Sequence, residues 1–229
     1  MRKLIVVLHH TDIGTPLSAG SFLSALAAVG ATAVQINLDD TDVAPALRFG
    51  PGAPITGLVS VWTEGDVTSA AAVVGQVAGE PEPHAYRVTE RVRLDPEPVP
   101  DGARADVLSQ IALLRRPGSM SRDDYLHYWL VRHTPIAIRT QGTVCYVQNV
   151  VEEALTPSSP DVAAIVEEHF PMAALTDPHA FYGSRGDEAE LRRRQRELMT
   201  SVSRFGADKD LDLVPTSRYL WRLGTLSVS

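Results

Sequence analysis

Cysteine is almost missing from this chain: Cys145 stands alone among 229 residues. That excludes an intramolecular disulfide and fits a reducing compartment, with the thiol read as core packing. Long apolar runs are missing as well. The N-terminus opens Met1-Arg-Lys, but the apolar run that follows ends at Leu8 before His9 and His10, which reads as a strand and not as a signal peptide. No stretch approaches the roughly 20 apolar residues that cross a bilayer, so a soluble, cytoplasmic protein is expected. An excess of basic charge is also absent. The formal charge is -7 with both signs mixed along the chain, leaving no basic face to neutralise a phosphate backbone and arguing against nucleic acid as a partner. The sequence contains no Gly-rich phosphate loop, CxxC, HExxH, GxSxG or dinucleotide fingerprint. These absences weigh against nucleotide, zinc and serine-nucleophile chemistry, and no cofactor or metal is expected.

What remains is ordinary globular composition, 44% apolar and 21% charged, enough for a substantial core. Residues 2–10 read as a strand. A helix is expected from Ser18, as N-cap, to Gly30, and a strand over 32–40, where Val34, Ile36 and Leu38 alternate with Gln35, Asn37 and Asp39. A Pro/Gly loop covers 49–54. A strand over 55–63, a helix over 66–78 and a strand over 84–94 complete a β-α-β-β-α-β order. The Pro-rich run from Asp95 to Gly102 reads as a linker.

The same order returns beyond it: strand 105–116, helix 121–139, strands 143–153 and 161–170, a helical region 172–205, and strand 213–223. Each half can form a four-stranded antiparallel sheet with both helices on one face. The uncovered faces are then buried by packing the two sheets together. The expected fold is α+β: two tandem ferredoxin-like βαββαβ halves, residues 1–95 and 105–229 joined by 96–104, packed as a pseudo-dimeric α/β barrel. The internal duplication supplies one pairing, and association into a homodimer stays open.

The sharpest local signal is the run from Ser121 to Pro135. Ser121 caps a helix whose first turn carries Asp123 and Asp124, where the helix dipole favours negative charge. Tyr125, Leu126, Trp129, Leu130 and His133 then fall on one stripe facing the sheet. Pro135 has no N–H, so the helix is expected to end or kink there. That would place His133 at a helix C-terminus, where the dipole favours imidazolium while burial against Trp129 favours the neutral ring. Such opposed terms suit a residue that exchanges protons near neutral pH. A histidine that caps freed carbonyls from within the core satisfies the same spacing.

Other polar residues are weighed in the same way. Tyr146, Gln148, Val150 and Glu152 share one strand face and Cys145, Val147, Asn149 and Val151 the other. The sequence does not say which face lines the barrel interior. Glu167 and His169 share a face and could act as an acid/base pair, although a solvated strand end is the better-supported expectation. His9 and His10 point to opposite faces and cannot share a metal without a bulge. The arginines of 192–196 read as a solvated helix face beside Glu188, Glu190 and Glu197. Trp62 and Trp221 read as core or pocket wall.

Leu113-Leu-Arg-Arg-Pro-Gly, Ser121-Arg-Asp-Asp-Tyr, Trp129, His133, Pro135 and Tyr146-Val-Gln148-Asn149 together resemble the EthD-like branch of the dimeric α/β barrel superfamily. The match is close over residues 107–150 and looser over 161–170, and the N-terminal half shares only element order. Its first helix region, near Ala28 and Val29, has no counterpart of His133. The resemblance implies a ferredoxin-like barrel and, in the family's fungal polyketide branch, cofactor-free decarboxylation or dehydration of aromatic polyketides, while bacterial members are often accessory proteins of catabolic clusters with no assigned reaction. The family histidine maps onto His133, and the strand tyrosine and glutamine onto Tyr146 and Gln148.

The expectation is therefore a cofactor-independent lyase, of decarboxylase, dehydratase or cyclase type, acting on an aromatic or polyketide-like carbonyl compound. His133 would be the general acid/base. Tyr125, Trp129, Tyr146 and Gln148 would line an apolar cavity between the helices and sheet of the C-terminal half. The partner is a small hydrophobic or aromatic metabolite. A cofactor-free monooxygenase of the same fold, or a non-catalytic metabolite-binding protein, are the alternatives.

Overall fold

The computed structural model describes residues 1–10, 13–79 and 81–224. Its Val/Ile/Leu runs form strands because branched side chains pack well on a pleated surface. β1 (Arg2–Leu8) lies between β3 (Gly57–Thr63) and β4 (His84–Leu94), and β2 (Ala31–Leu38) flanks β3 on its other side. In the second half β5 (Leu108–Leu114) lies between β7 (Ala164–Phe170) and β8 (Asp212–Arg222), and β6 (Cys145–Ala154) flanks β7. The expected mixed α+β barrel is present. Its two sheets do more than pack face to face: β2 bonds to β8 and β4 to β6, so the eight strands close in the order β1-β3-β2-β8-β5-β7-β6-β4.

Helices cover the outside. α1 (Gly14–Ser18), α2 (Gly20–Ala28) and α3 (Val67–Ala78) serve the first half. Phe22, Leu26 and Val74 pack there on Leu4, Val6, Val34 and Val61. α4 (Arg122–His127), α5 (Thr134–Thr140), α6 (Pro178–Tyr182) and α7 (Glu188–Ser203) serve the second. Because strand side chains alternate, every strand has a helix-facing row and an interior row. The interior is apolar over part of its depth, around Ile5, Leu58, Tyr86, Ile111, Ile165 and Val214, and polar over the rest.

Two local expectations are corrected. The single helix from Ser18 to Gly30 is two, broken at Ala19, which is extended (φ -64°, ψ 139°). The chain restarts at Gly20, a poor residue for a helix interior. Ser18 closes α1 and caps nothing, its Oγ donating to the Thr15 carbonyl at 3.1 Å. The long helix of the second half does not end at Pro135 either. Between α4 and α5 the chain widens into a π-helical segment, Tyr128–His133, and Pro135 follows it as one of the first residues of α5, at a wider turn of the kind that marks irregularities within a helix.

No helix among the described residues is long and apolar enough to cross a membrane.

Candidate active site

Ser121 starts the helix as expected: its Oγ accepts from the Asp124 N–H at 3.1 Å. The π-helical turn that follows is stabilised by Thr134. Its backbone N–H bonds back to the Trp129 carbonyl, and its Oγ1 donates to the same oxygen at 2.8 Å. His133 therefore sits inside a continuous helical path, and the expected dipole at a helix end does not act on it. Burial is left as the dominant influence.

The stripe of Tyr125, Trp129 and His133 faces β6, whose Tyr146 and Gln148 point outward to meet it. Cys145 and Val147 take the interior face. The structure thus brings together all five residues expected from sequence. Gln148 Nε2 donates to Thr134 Oγ1 at 2.8 Å, so a relay from strand to hydroxyl to the Trp129 carbonyl fixes the π-helical turn on the sheet. His133 Nδ1 meets Ser201 Oγ of α7 at 3.0 Å, and its ring centroid lies 4.8 Å from that of Phe205. Phe205 also contacts Tyr125 and Tyr128, at 5.7 and 5.6 Å. The expected apolar cavity is closed in this conformation: exposure is 0% at Tyr125, Trp129 and Gln148, 1% at Tyr146 and 6% at His133. Phe205, from the segment after α7, fills the space against which the other rings pack.

Burial sets the protonation states. It pushes His133 down to about 4, so the ring is neutral at pH 7. It raises Tyr125 far above the usual phenol range, and Tyr146 likewise with the nearby Glu168 charge adding to the effect. Glu168 is itself pushed up to about 7 by burial, partly opposed by a hydrogen bond from Gln141. With its amide turned so that nitrogen donates, Gln141 meets Glu168 Oε1 at 2.9 Å. Glu168 lies opposite Tyr146 on one neighbouring strand and opposite Gln110 on the other.

In the helix layer of the C-terminal half four side-chain atoms are buried without a hydrogen-bond partner in the protein, Tyr125 Oη, Trp129 Nε1, Gln148 Oε1 and Gln110 Nε2, while Asn149 Oδ1 and Arg218 Nη1 are left so in the barrel interior. Tyr125 and Trp129 project from the helices, and Gln148 and Gln110 belong to the helix-facing rows of β6 and β5. Buried polar groups are nearly always paired, because leaving one unpaired costs about 1–3 kcal/mol. The first three are residues expected from sequence. Gln110, Glu168, Ser201 and Phe205 were not. Glu168 had a legible signal, a carboxylate on the same strand face as Val162, Ala164 and Val166.

The other expectations resolve in several ways. Glu167 and His169 are not a solvated strand end; both are buried in the barrel interior, with Glu167 Oε1 2.8 Å from His169 Nε2. Strand closure turns that face inward. Gln35 and Asn37 join them, while Asp39 pairs with Arg48. His9 Nε2 meets His84 Nδ1 at 3.2 Å. Trp62 lines the interior cavity, and Trp221 packs on the first-half core. Arg192, Arg193 and Arg194 pair with Glu188 and Glu190 on the surface of α7. Among the described residues no group of three or more His, Cys, Asp or Glu side chains is placed to hold a metal.

No family model matches the sequence, and no curated protein does. Solved structures do. An "anthrone oxidase-like protein" superposes with a TM-score of 0.58 over 100% of this chain and 96% of its own, at 10% identity. What the two share is the fold, in this chain a closed eight-stranded antiparallel barrel with helices on its outside. A "putative monooxygenase" from Fusobacterium nucleatum superposes on this barrel with a TM-score of 0.50 over 98% of the chain and 95% of its own, at 7% identity. At such identities the shared barrel is established, and the chemistry must be argued from the side chains.

Proposed function

We propose that the helix layer of the C-terminal half is the active site of an acid–base enzyme of EthD-like type. It would enolise an aromatic or polyketide-like carbonyl compound with His133 as proton acceptor. The observation that carries this reading is the pair of unpartnered buried atoms Tyr125 Oη and Gln148 Oε1, together with Trp129 Nε1, which has the Tyr146 hydroxyl near it but no well-formed hydrogen bond, all beside a neutral imidazole on the same helix stripe. Tyr Oη and Trp Nε1 are donors and the Gln Oε1 is an acceptor. Two donors and one acceptor match a carbonyl oxygen accompanied by a hydroxyl, the pattern of a hydroxyaryl ketone. Phe205 must leave its place among the rings for such a compound to enter, and the ligand's own ring would take over those contacts.

The step follows from this arrangement. Neutral His133 takes the proton from the carbon next to the carbonyl. Tyr125 and Trp129 donate to the oxygen on which negative charge develops. The imidazolium formed is then paired with the enolate beside it, which offsets the burial that holds His133 low in the free protein. Consumption of the enolate by dioxygen converts the activated methylene to a carbonyl with release of water, the oxidation suggested by the described anthrone oxidase-like relative of this fold. A second reading keeps the lyase reaction. Glu168, its carboxyl pushed up to about 7 by burial and so partly protonated at neutral pH, is the acid that loss of a hydroxyl group would require.

Anthrone serves as the probe. Deuterium exchange at its methylene is followed by NMR, and oxygen uptake by electrode, for wild type and His133→Gln. Exchange above background that disappears in the variant supports the active-site assignment. Uptake of one dioxygen per quinone formed supports oxidation, and exchange without uptake leaves the lyase reading. Tight anthrone binding with no exchange and no dependence on His133 identifies a metabolite-binding protein and defeats the proposal.

A further inference from the structure

The barrel interior holds a second constellation, unconnected with the helix layer. At one end of the barrel a cavity of about 290 Å³ opens to solvent, near the lower end of the roughly 300–1,000 Å³ range of small-molecule sites. Gln35, Glu167, His169 and Arg218 line it together with Trp62, Val147 and Leu220. A polar group thus shares one small volume with apolar wall.

The hydrogen bonds leave one group over. The Glu167 carboxylate accepts from Ser109 Oγ at 3.0 Å, from Gln35 Nε2 at 2.9 Å and from His169 Nε2 at 2.8 Å. Burial acts to raise the Glu167 carboxyl, but the His169 hydrogen bond and the charges of His169, Arg218 and Lys3 hold it well below the usual carboxylate range. It is therefore an anion whose acceptor positions are largely filled. Arg218 reaches Gln35 Oε1 through Nε at 2.7 Å, while that nitrogen stays 3.9 Å from Glu167. Arg218 is 3% exposed, and its Nη1 has no partner in the protein. Lys3 is not comparable: it pairs with Glu90 at 2.6 Å and lies 4.4 Å over the Trp62 ring.

The charge of the lining points the same way. Lys3 is paired with Glu90 and Arg222 with Asp101, each at 2.6 Å, so of the three cations of the lining Arg218 is the one with a donor left unfilled. A buried guanidinium N–H without an acceptor is costly, and a carboxylate is the acceptor it matches best.

We propose that this end of the barrel binds a small carboxylate with an apolar body, its head group taken by Arg218 and its body held between Trp62, Val147 and Leu220. One aromatic ring or a short branched chain suits the volume. The site is separate from the helix layer, because Cys145 and Val147 line it from the opposite face of the strand that carries Tyr146 and Gln148.

Calorimetric titration with benzoate tests this, with benzyl alcohol as a neutral probe of similar body. Wild type should bind benzoate at least tenfold more tightly than benzyl alcohol, and Arg218→Gln should lose at least tenfold in benzoate affinity. Val92→Trp, at a half-exposed position on the cavity wall, should block binding without entering the polar network, and His133→Gln should leave it unchanged. Absence of benzoate binding by wild type, or equal affinity in a folded Arg218→Gln, overturns the proposal. If Arg218→Gln does not fold, unchanged benzoate binding by Val92→Trp overturns it alone.

Discussion

His133 Nδ1 and Ser201 Oγ, 68 residues apart in sequence, meet at 3.0 Å across the gap between the π-helical turn and α7. Both side chains are buried, so neither can exchange the other for water. Ser201→Ala should destabilise the fold by about 1–3 kcal/mol by leaving a ring nitrogen without its partner. Urea unfolding followed by circular dichroism reads the change. A loss below a few tenths of a kcal/mol would show that the ring finds another partner. The same variant should slow any His133-dependent exchange reaction by letting the imidazole turn.

His133 and Glu168 displace protons in opposite directions, and pH should separate them. His133 falls from 6.5 to about 4 in the folded protein, so the unfolded chain holds the extra proton between these values. Stability owed to His133 is complete above pH 6.5 and lost as pH falls toward 4. Glu168 rises from 4.5 to about 7, so the folded protein holds the extra proton. Stability owed to Glu168 is complete below pH 4.5 and lost as pH rises through 7. Between pH 4.5 and 6.5 the two slopes oppose each other in the wild type. His133→Gln should unmask stability that falls with pH, and Glu168→Gln stability that rises, each by up to about 1.4 kcal/mol per pH unit. The Glu168 slope should be the shallower, because that side chain keeps part of its surface exposed. Parallel profiles for the two variants would contradict these assignments.

Phe205 is the ring that closes the helix layer. Phe205→Ala should cost about 3–5 kcal/mol and leave a space bordered by Tyr125, Tyr128 and His133. If that layer is built to hold an aromatic compound, the variant should take up a small aromatic probe such as indole, visible by crystallography or by a ligand-dependent rise in Tm. Collapse of the layer with no uptake would argue for core packing only.

Thr134 couples Gln148 to the π-helical turn. Thr134→Val keeps the shape and removes the hydroxyl that joins Gln148 Nε2 to the Trp129 carbonyl. A loss of about 1–3 kcal/mol is expected, since Gln148 is then buried with both ends of its amide unpartnered. Hydrogen exchange should show faster opening of the amides of residues 129–134 relative to those of β6. Unchanged protection there would mean that the widened turn is fixed by Pro135 and backbone sterics alone.

Sequence pattern located the helix layer well and the barrel interior poorly, for a physical reason. Tyr125, Trp129 and His133 lie on one helical stripe, and Tyr146 and Gln148 on one strand face, so two periodicities were enough to bring them together. The π-helical turn escaped because it depends on the Thr134 hydroxyl meeting a carbonyl, which spacing does not reveal. Ser201 and Phe205 come from far along the chain and had no motif to mark them. For Glu167, His169 and Arg218 the alternation was visible, but whether that face met water or the interior depended on closure of the whole sheet. A polar strand face in an open sheet is a solvated surface; inside a closed barrel the same residues become a buried network.

Closure also bears on how the chain reaches this state. β2 (Ala31–Leu38) finds its partner in β8 (Asp212–Arg222), so one flank of the N-terminal sheet keeps unpaired amides and carbonyls until β8 has been made. β4 must likewise wait for β6. Such open strand edges recruit other chains, and pairings this distant in sequence form slowly. Once the ring is sealed no edge is left to extend, so the hazard of strand-mediated aggregation belongs to the nascent and unfolding chain. Any assembly of the finished protein must then use its helices and loops.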